Sequence, residues 1–170
     1  MKSHYYILLL LVLFSCKDTV LNQEKSVQKS TKGVVINHSK FVDLESVSTS
    51  NISNWKEYHS VSDHLKIFYS ISASEALNNA LQLANLVKKM KDSIRPKDLI
   101  NPSFRTRVNV LENEALRLKD MTLLLNAVKS KEVNQQVDKI LEAFSATNSK
   151  INTVYSQLEV EKEIQINQFK

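Results

Sequence analysis

Glycine occurs once in this 170-residue chain, at Gly33, and proline twice, at Pro96 and Pro102. Strand hairpins and tight turns draw on glycine for positive φ and on proline for a preset φ. A chain with so little of either makes few turns and spends its length in a few long elements. Leu, Lys and Glu, which lose little rotamer freedom in a helix, are abundant. These residues predict an all-α fold.

Apolar periodicity divides the helices. Trp55, Tyr58, Val61, Leu65 and Phe68 recur at three- and four-residue steps, and Asn54 with Glu57 has capping-box spacing ahead of them. Ala76, Ala80, Leu83, Val87, Met90 and Ile94 form a second stripe. Phe68 and Ala76 are eight apart where seven would continue the phase, so the stripes do not join. The stretch "SISASE" at that seam offers Ser72 and Glu75 as another capping box. The first helix is therefore expected to kink or break near residues 70–75. Leu77, Leu81, Ala84 and Leu86 widen its second stripe, which then needs two neighbours.

"RPKDLINPS" ends that helix, and Asn101 followed by Pro102 makes a cap and first turn for the next. The stripe Phe104, Val108, Leu111, Ala115, Leu118 and Leu125 carries this helix to about Lys129. Ser130 is placed to cap the last helix, with Val133, Val137, Ile140, Phe144, Thr147, Ile151, Val154 and Leu158 on one face. Residues 54–170 read as an antiparallel three-helix bundle, or a four-helix bundle if the seam is a true break.

The amino-terminal stretch "MKSHYYILLLLVLFSC" has one cation, Lys2, and then an unbroken apolar run over residues 5–14. Ten helical residues cover about 15 Å, half of a ~30 Å hydrocarbon core, which fits a secretory signal better than a membrane span. Leu13, Ser15 and Cys16 resemble the lipobox of bacterial lipoprotein signal peptides. The resemblance implies cleavage after residue 15 and acylation of Cys16, so that lipid on Cys16 anchors the mature protein to a membrane. Durable anchoring by this chemistry takes two or more acyl chains. Lys17, in place of an aspartate directly after the cysteine, resembles an outer-membrane destination, on the periplasmic face or the cell surface. Cys16 is the single cysteine, which leaves no internal disulfide and no thiol for metal or nucleophilic chemistry. Residues 16–53 are polar and read as a lipidated, flexible tether, interrupted by the apolar patches "VVI" (34–36) and "FVDLESV" (41–47), which offer short segments for docking onto the domain.

The net charge is +5, with 23 basic and 18 acidic residues interleaved. Export argues against a nucleic-acid partner. The densest cations are Lys88, Lys89, Lys91, Arg95, Lys97, Arg105 and Arg107, brought to one bundle tip by the topology. They are expected either to meet Glu159, Glu161 and Glu163 at the end of the last helix or to bind an anionic partner. A continuous first helix puts residue 54 at the opposite end, so that this tip points away from the membrane. His59 and His64 are five apart and cannot share a metal easily; His59 and Asp63 face one way but make only one pair. No phosphate-cradling loop and no nucleophile–base spacing is visible. The expected function is non-enzymatic, without cofactor: a lipid-anchored helical module that binds or scaffolds an envelope protein. A periplasmic sensor or small-ligand or metal-binding protein is the alternative.

Overall fold

The computed structural model describes residues 31–124 and 127–168. The expected signal segment 1–15, Cys16 and the first part of the expected tether lie outside the described residues, as do Leu125 and Phe169. Five helices follow in order: α1 Ser46–Asn51, α2 Lys56–Lys66, α3 Ala73–Asp92, α4 Pro102–Met121 and α5 Ser130–Gln168. Strands β1 Val35–Asn37 and β2 Ser70–Ser72 make a two-stranded antiparallel ribbon, pairing Val35 with Ser72 and Asn37 with Ser70. The fold is an all-α helical bundle with this one short ribbon.

The seam is a break. Helix α2 tightens into a 3-10 turn over Ile67–Tyr69, runs out through β2, and α3 starts afresh. A full capping box makes the restart. The Ser72 hydroxyl accepts from the Glu75 amide at 3.3 Å, and Glu75 Oε2 accepts from the Ser72 amide at 3.0 Å. The bundle therefore has four long helices, α2 to α5. The expected Asn54 cap does not form: α2 begins one residue later, with Trp55 at the cap position and no side-chain cap bond. Burial of Ile52 and Trp55 sets the chain's approach to α2, and the half-buried Glu57 carboxylate pairs with Arg95. At the next start Asn101 Oδ1 accepts from the Phe104 amide at 2.9 Å, with Pro102 in the first turn. Helix α4 ends at Met121, short of Lys129, and closes through the 3-10 turn Thr122–Leu124. Ser130 is the first residue of α5 and not its cap; Glu132 reaches back to accept from the Lys129 amide at 2.9 Å.

Cross-helix contacts fix the packing as antiparallel. Trp55 Nε1 donates to Ser93 Oγ at 3.4 Å, setting the start of α2 beside the end of α3. Lys91 meets Glu112 at 2.6 Å, and Gln136 Nε2 donates to the Glu114 carbonyl at 2.8 Å, which orients α3 against α4 and α4 against α5. The core is built by the stripes read from the sequence: Trp55, Val61, Leu65 and Phe68; Ala76, Ala80, Leu83, Val87 and Met90; Phe104, Val108, Leu111 and Leu118; Val133, Val137, Ile140, Phe144 and Ile151 are all buried. Leu86, Ile94, Val154 and Leu158 are partly buried against it, and Leu81 is left out, 57% exposed.

The folded unit begins well before residue 54. Residues 38–45 lie extended along α5 and are held from end to end. His38 Nδ1 is 2.7 Å from Asp138, the Val42 amide donates to Ser145 Oγ at 3.1 Å, and the Glu45 amide donates to Asn152 Oδ1 at 3.0 Å. Seven extended residues at about 3.3 Å cover the same distance, a little over 20 Å, as fourteen helical residues at 1.5 Å. The two rises therefore stay in register from 38/138 to 45/152. Phe41 drops into the core beside Phe144 (ring centroids 4.7 Å) and Tyr69 (5.2 Å). Within the expected tether, the first apolar patch forms the ribbon strand β1 and the second runs from a docked strap into a short helix, α1, which packs on α5 behind it.

Candidate functional site

The basic cluster assembles where the sequence places it, at the end formed by the last turn of α3, the 3-10 turn Lys97–Leu99 and the first turns of α4. Its neutralisation differs from expectation. Lys88 pairs with Asp92 at 2.8 Å one turn along α3, Lys91 with Glu112 of α4 at 2.6 Å, and Arg95 with Glu57 of α2 at 3.3 Å. Arg107 donates to the Ser103 carbonyl at 2.9 Å and to its hydroxyl at 3.0 Å. The Glu57 carboxyl is held below its ordinary value, first by its own backbone amide and then, against the cost of desolvation, by Arg95; Asp92 raises Lys88 by hydrogen bonding and charge. Acids nearer to hand have taken the role foreseen for the α5 tail.

Lys89, Lys97 and Arg105 remain exposed and make no ion pair among the described residues. Glu159, Glu161 and Glu163 are likewise exposed and unpaired. They stand on the portion of α5 that outruns the bundle. Tyr155 is the last buried residue of α5, beneath Asp98; burial, with that carboxylate's charge, pushes its hydroxyl up to about 12. From Glu159 to Gln168 every residue is exposed, Val160, Ile164 and Ile166 among them. Glu159 and Lys162 still line a shallow groove with Val47, Asn51 and Asp98, and the six residues beyond them extend the helix by about 9 Å.

No protein-family model matches the chain, and no curated protein or solved structure is detectably similar to it.

The break at residues 67–72 changes how the tip relates to the rest. Because α2 and α3 run opposite ways, residue 54 lies at the basic tip and not at the far end. The chain nevertheless enters the described structure at the far end, where β1 pairs with β2 just ahead of α3. The strap carries it along α5 to the tip before α2 starts.

The histidines are apart and each has a local setting. His38 faces Asp138, His59 Nε2 lies 3.3 Å from the Ile52 carbonyl, and His64 is buried with its ring against Phe68. Among the described residues no group of three His, Cys, Asp or Glu side chains could hold a metal ion. No helix among them is long and apolar enough to cross a membrane.

Sequence reasoning missed the polar rail on α5: Asp138, Ser145, Asn148, Asn152 and Ser156. Asn148 uses both amide atoms, donating to the Val42 carbonyl at 2.7 Å and accepting from the Tyr58 hydroxyl at 2.9 Å. Asn152 donates to the Asp43 carbonyl at 3.1 Å, and Ser156 donates to Glu45 Oε2 at 3.1 Å. The signal was present as short polar residues at steps of three, four and seven beside an apolar stripe. That spacing suits side chains that bind a backbone laid along the helix.

Proposed function

We propose that this protein is a non-enzymatic envelope lipoprotein, held by acyl chains on Cys16 at the outer membrane, whose helical domain binds or scaffolds another envelope protein. The observation that carries the reading is the free end of α5. After the core is filled, Val160, Ile164 and Ile166 and three glutamates without ion pairs among the described residues are exposed on the last turns of α5, at the same end of the bundle as the exposed Lys89, Lys97 and Arg105. Val160 and Ile164, four residues apart, share one side of that helix, the spacing that helix-in-groove recognition reads. The lipobox-like residues 13–16 support the anchor.

Crosslinking in native cells, followed by affinity purification from detergent-solubilised envelopes, tests it. One stoichiometric partner is expected, lost when residues 159–170 are deleted and displaced from the membrane fraction by Cys16→Ala. Equal membrane retention of Cys16→Ala and the unaltered protein would sink the lipid anchor. Recovery of the same partner without residues 159–170 would sink the assignment of the tail.

A further inference from the structure

The end of the bundle opposite the basic tip breaks an ordinary rule. Turns between helices are polar because they face water, yet the 3-10 turn that closes α4 carries Leu123 and Leu124, and Leu123 is 83% exposed, the highest of the large hydrophobic residues among those described. Leu124 is exposed too, as are Val34 and Val35 at the edge of the ribbon and Ile67 in the turn after α2. All five belong to the same end. Val35 pairs with Ser72 just before α3, Val34 lies in a groove with Ser130 and Lys131 at the start of α5, and the Thr122–Leu124 turn packs on α3. Exposed Lys129 and Lys131 stand beside them, and the nearby Glu132 carboxylate is engaged by the Lys129 amide. Apolar side chains projecting from an end, with lysines at their margin, are the composition of a surface that enters the headgroup and upper acyl region of a bilayer.

The position of the rest of the chain selects that occupant. Thr31, where the described structure starts, is at this end, and Cys16 precedes it by fifteen residues, a reach of at most about 50 Å at full extension. Of the two ends of the bundle, this is the one joined directly to the segment proposed to carry the lipid.

We infer that the end of the bundle formed by Val34, Val35, Ile67, Leu123 and Leu124 docks on the phospholipid bilayer. This inference rests on the lipoprotein reading and sharpens it: the bundle stands upright on the membrane instead of hanging free on a tether. Helix α5, about 58 Å long for its 39 residues, then holds its free end and the basic tip away from the lipid.

The test uses the full chain with Cys16→Ala, so that one introduced cysteine can carry an environment-sensitive nitrobenzoxadiazole probe. One protein carries it at Leu123→Cys and a second at Lys97→Cys, on the opposite end. Each is mixed with vesicles of phosphatidylethanolamine and phosphatidylglycerol, and emission is read from the sedimenting fraction. The expected result is a blue shift with a several-fold rise in intensity at position 123, none at position 97, and loss of the shift at 123 when Val34→Glu and Leu124→Glu are added. No shift at 123 in chains that sediment, a shift at 97 instead, a shift that survives the glutamates, or no sedimentation at all would each overturn the docking face. The lipid anchor is scored separately by the mass of the native protein, with or without acyl chains, so one reading can fail while the other stands.

Discussion

His64 and Glu75 show how single side chains couple this fold to pH, with opposite chemistry and the same sign. Burial lowers the His64 pKa from its ordinary 6.5, against a hydrogen bond to the Asn79 backbone that raises it. As pH falls below 6.5 the unfolded chain takes up a proton that the folded chain resists, so stability is full above that value and declines below it. Glu75 is lowered from 4.5 by its bonds to Ser72, so its contribution is present above 4.5 and is lost as pH falls through its folded value. Urea midpoints measured from about pH 7 to about pH 5 should fall, and His64→Leu should flatten that slope. Below the His64 window, Glu75→Gln should flatten the remaining acid arm. Ser72→Ala should cost about 1 kcal/mol at neutral pH, because the restart of α3 depends on that cap; an unchanged midpoint would mean that β2 alone sets where α3 begins.

The strap is the element that most separates this molecule from a plain bundle. Phe41→Ala should destabilise by about 3–5 kcal/mol, the cost of a buried aromatic removed from a packed site. A freely tethered segment would give no change in the unfolding midpoint. Asn148→Ala should cost about 1–3 kcal/mol by leaving the Val42 carbonyl and the Tyr58 hydroxyl without their partner. The helices themselves were legible beforehand, since a 3.6-residue period states which side of each helix is apolar. The capping box at Ser72 and the single cap at Asn101 were legible too, because a cap is a local bond between neighbours in sequence. The apolar residues of 41–47 pointed to docking, but the strap's partners and register were not legible, because the partners are about one hundred residues away and the register depends on matching an extended rise to a helical one. Asn54 looked like a cap from its neighbours and lost to the burial of Ile52 and Trp55.

At the scale of the whole molecule, one local event reverses the topology. An eight-residue spacing in place of seven turns a long first helix into two antiparallel ones and moves residue 54 from one end to the other. The sequence located the basic tip but not its partners, because Asp92 alone of the three pairing acids is a near neighbour in sequence. Deleting residues 159–170 should leave stability within about 0.5 kcal/mol, since residues 159–168 are all exposed and add nothing to the core. Thermal unfolding checks this, and a clear drop would show that the tail folds back on the bundle.

The strap also decides how the protein would bear load. A pull on the chain ahead of Thr31, directed away from the bundle along α5, acts parallel to residues 38–45. The contacts at His38, Val42, Glu45 and Phe41 are then strained together in shear, and cannot be peeled one after another. Held by its amino-terminal side, the domain should resist tension at the strap up to a single abrupt rupture. Pulled across α5, the same contacts should open in small successive steps, a difference that single-molecule force traces along the two directions would record.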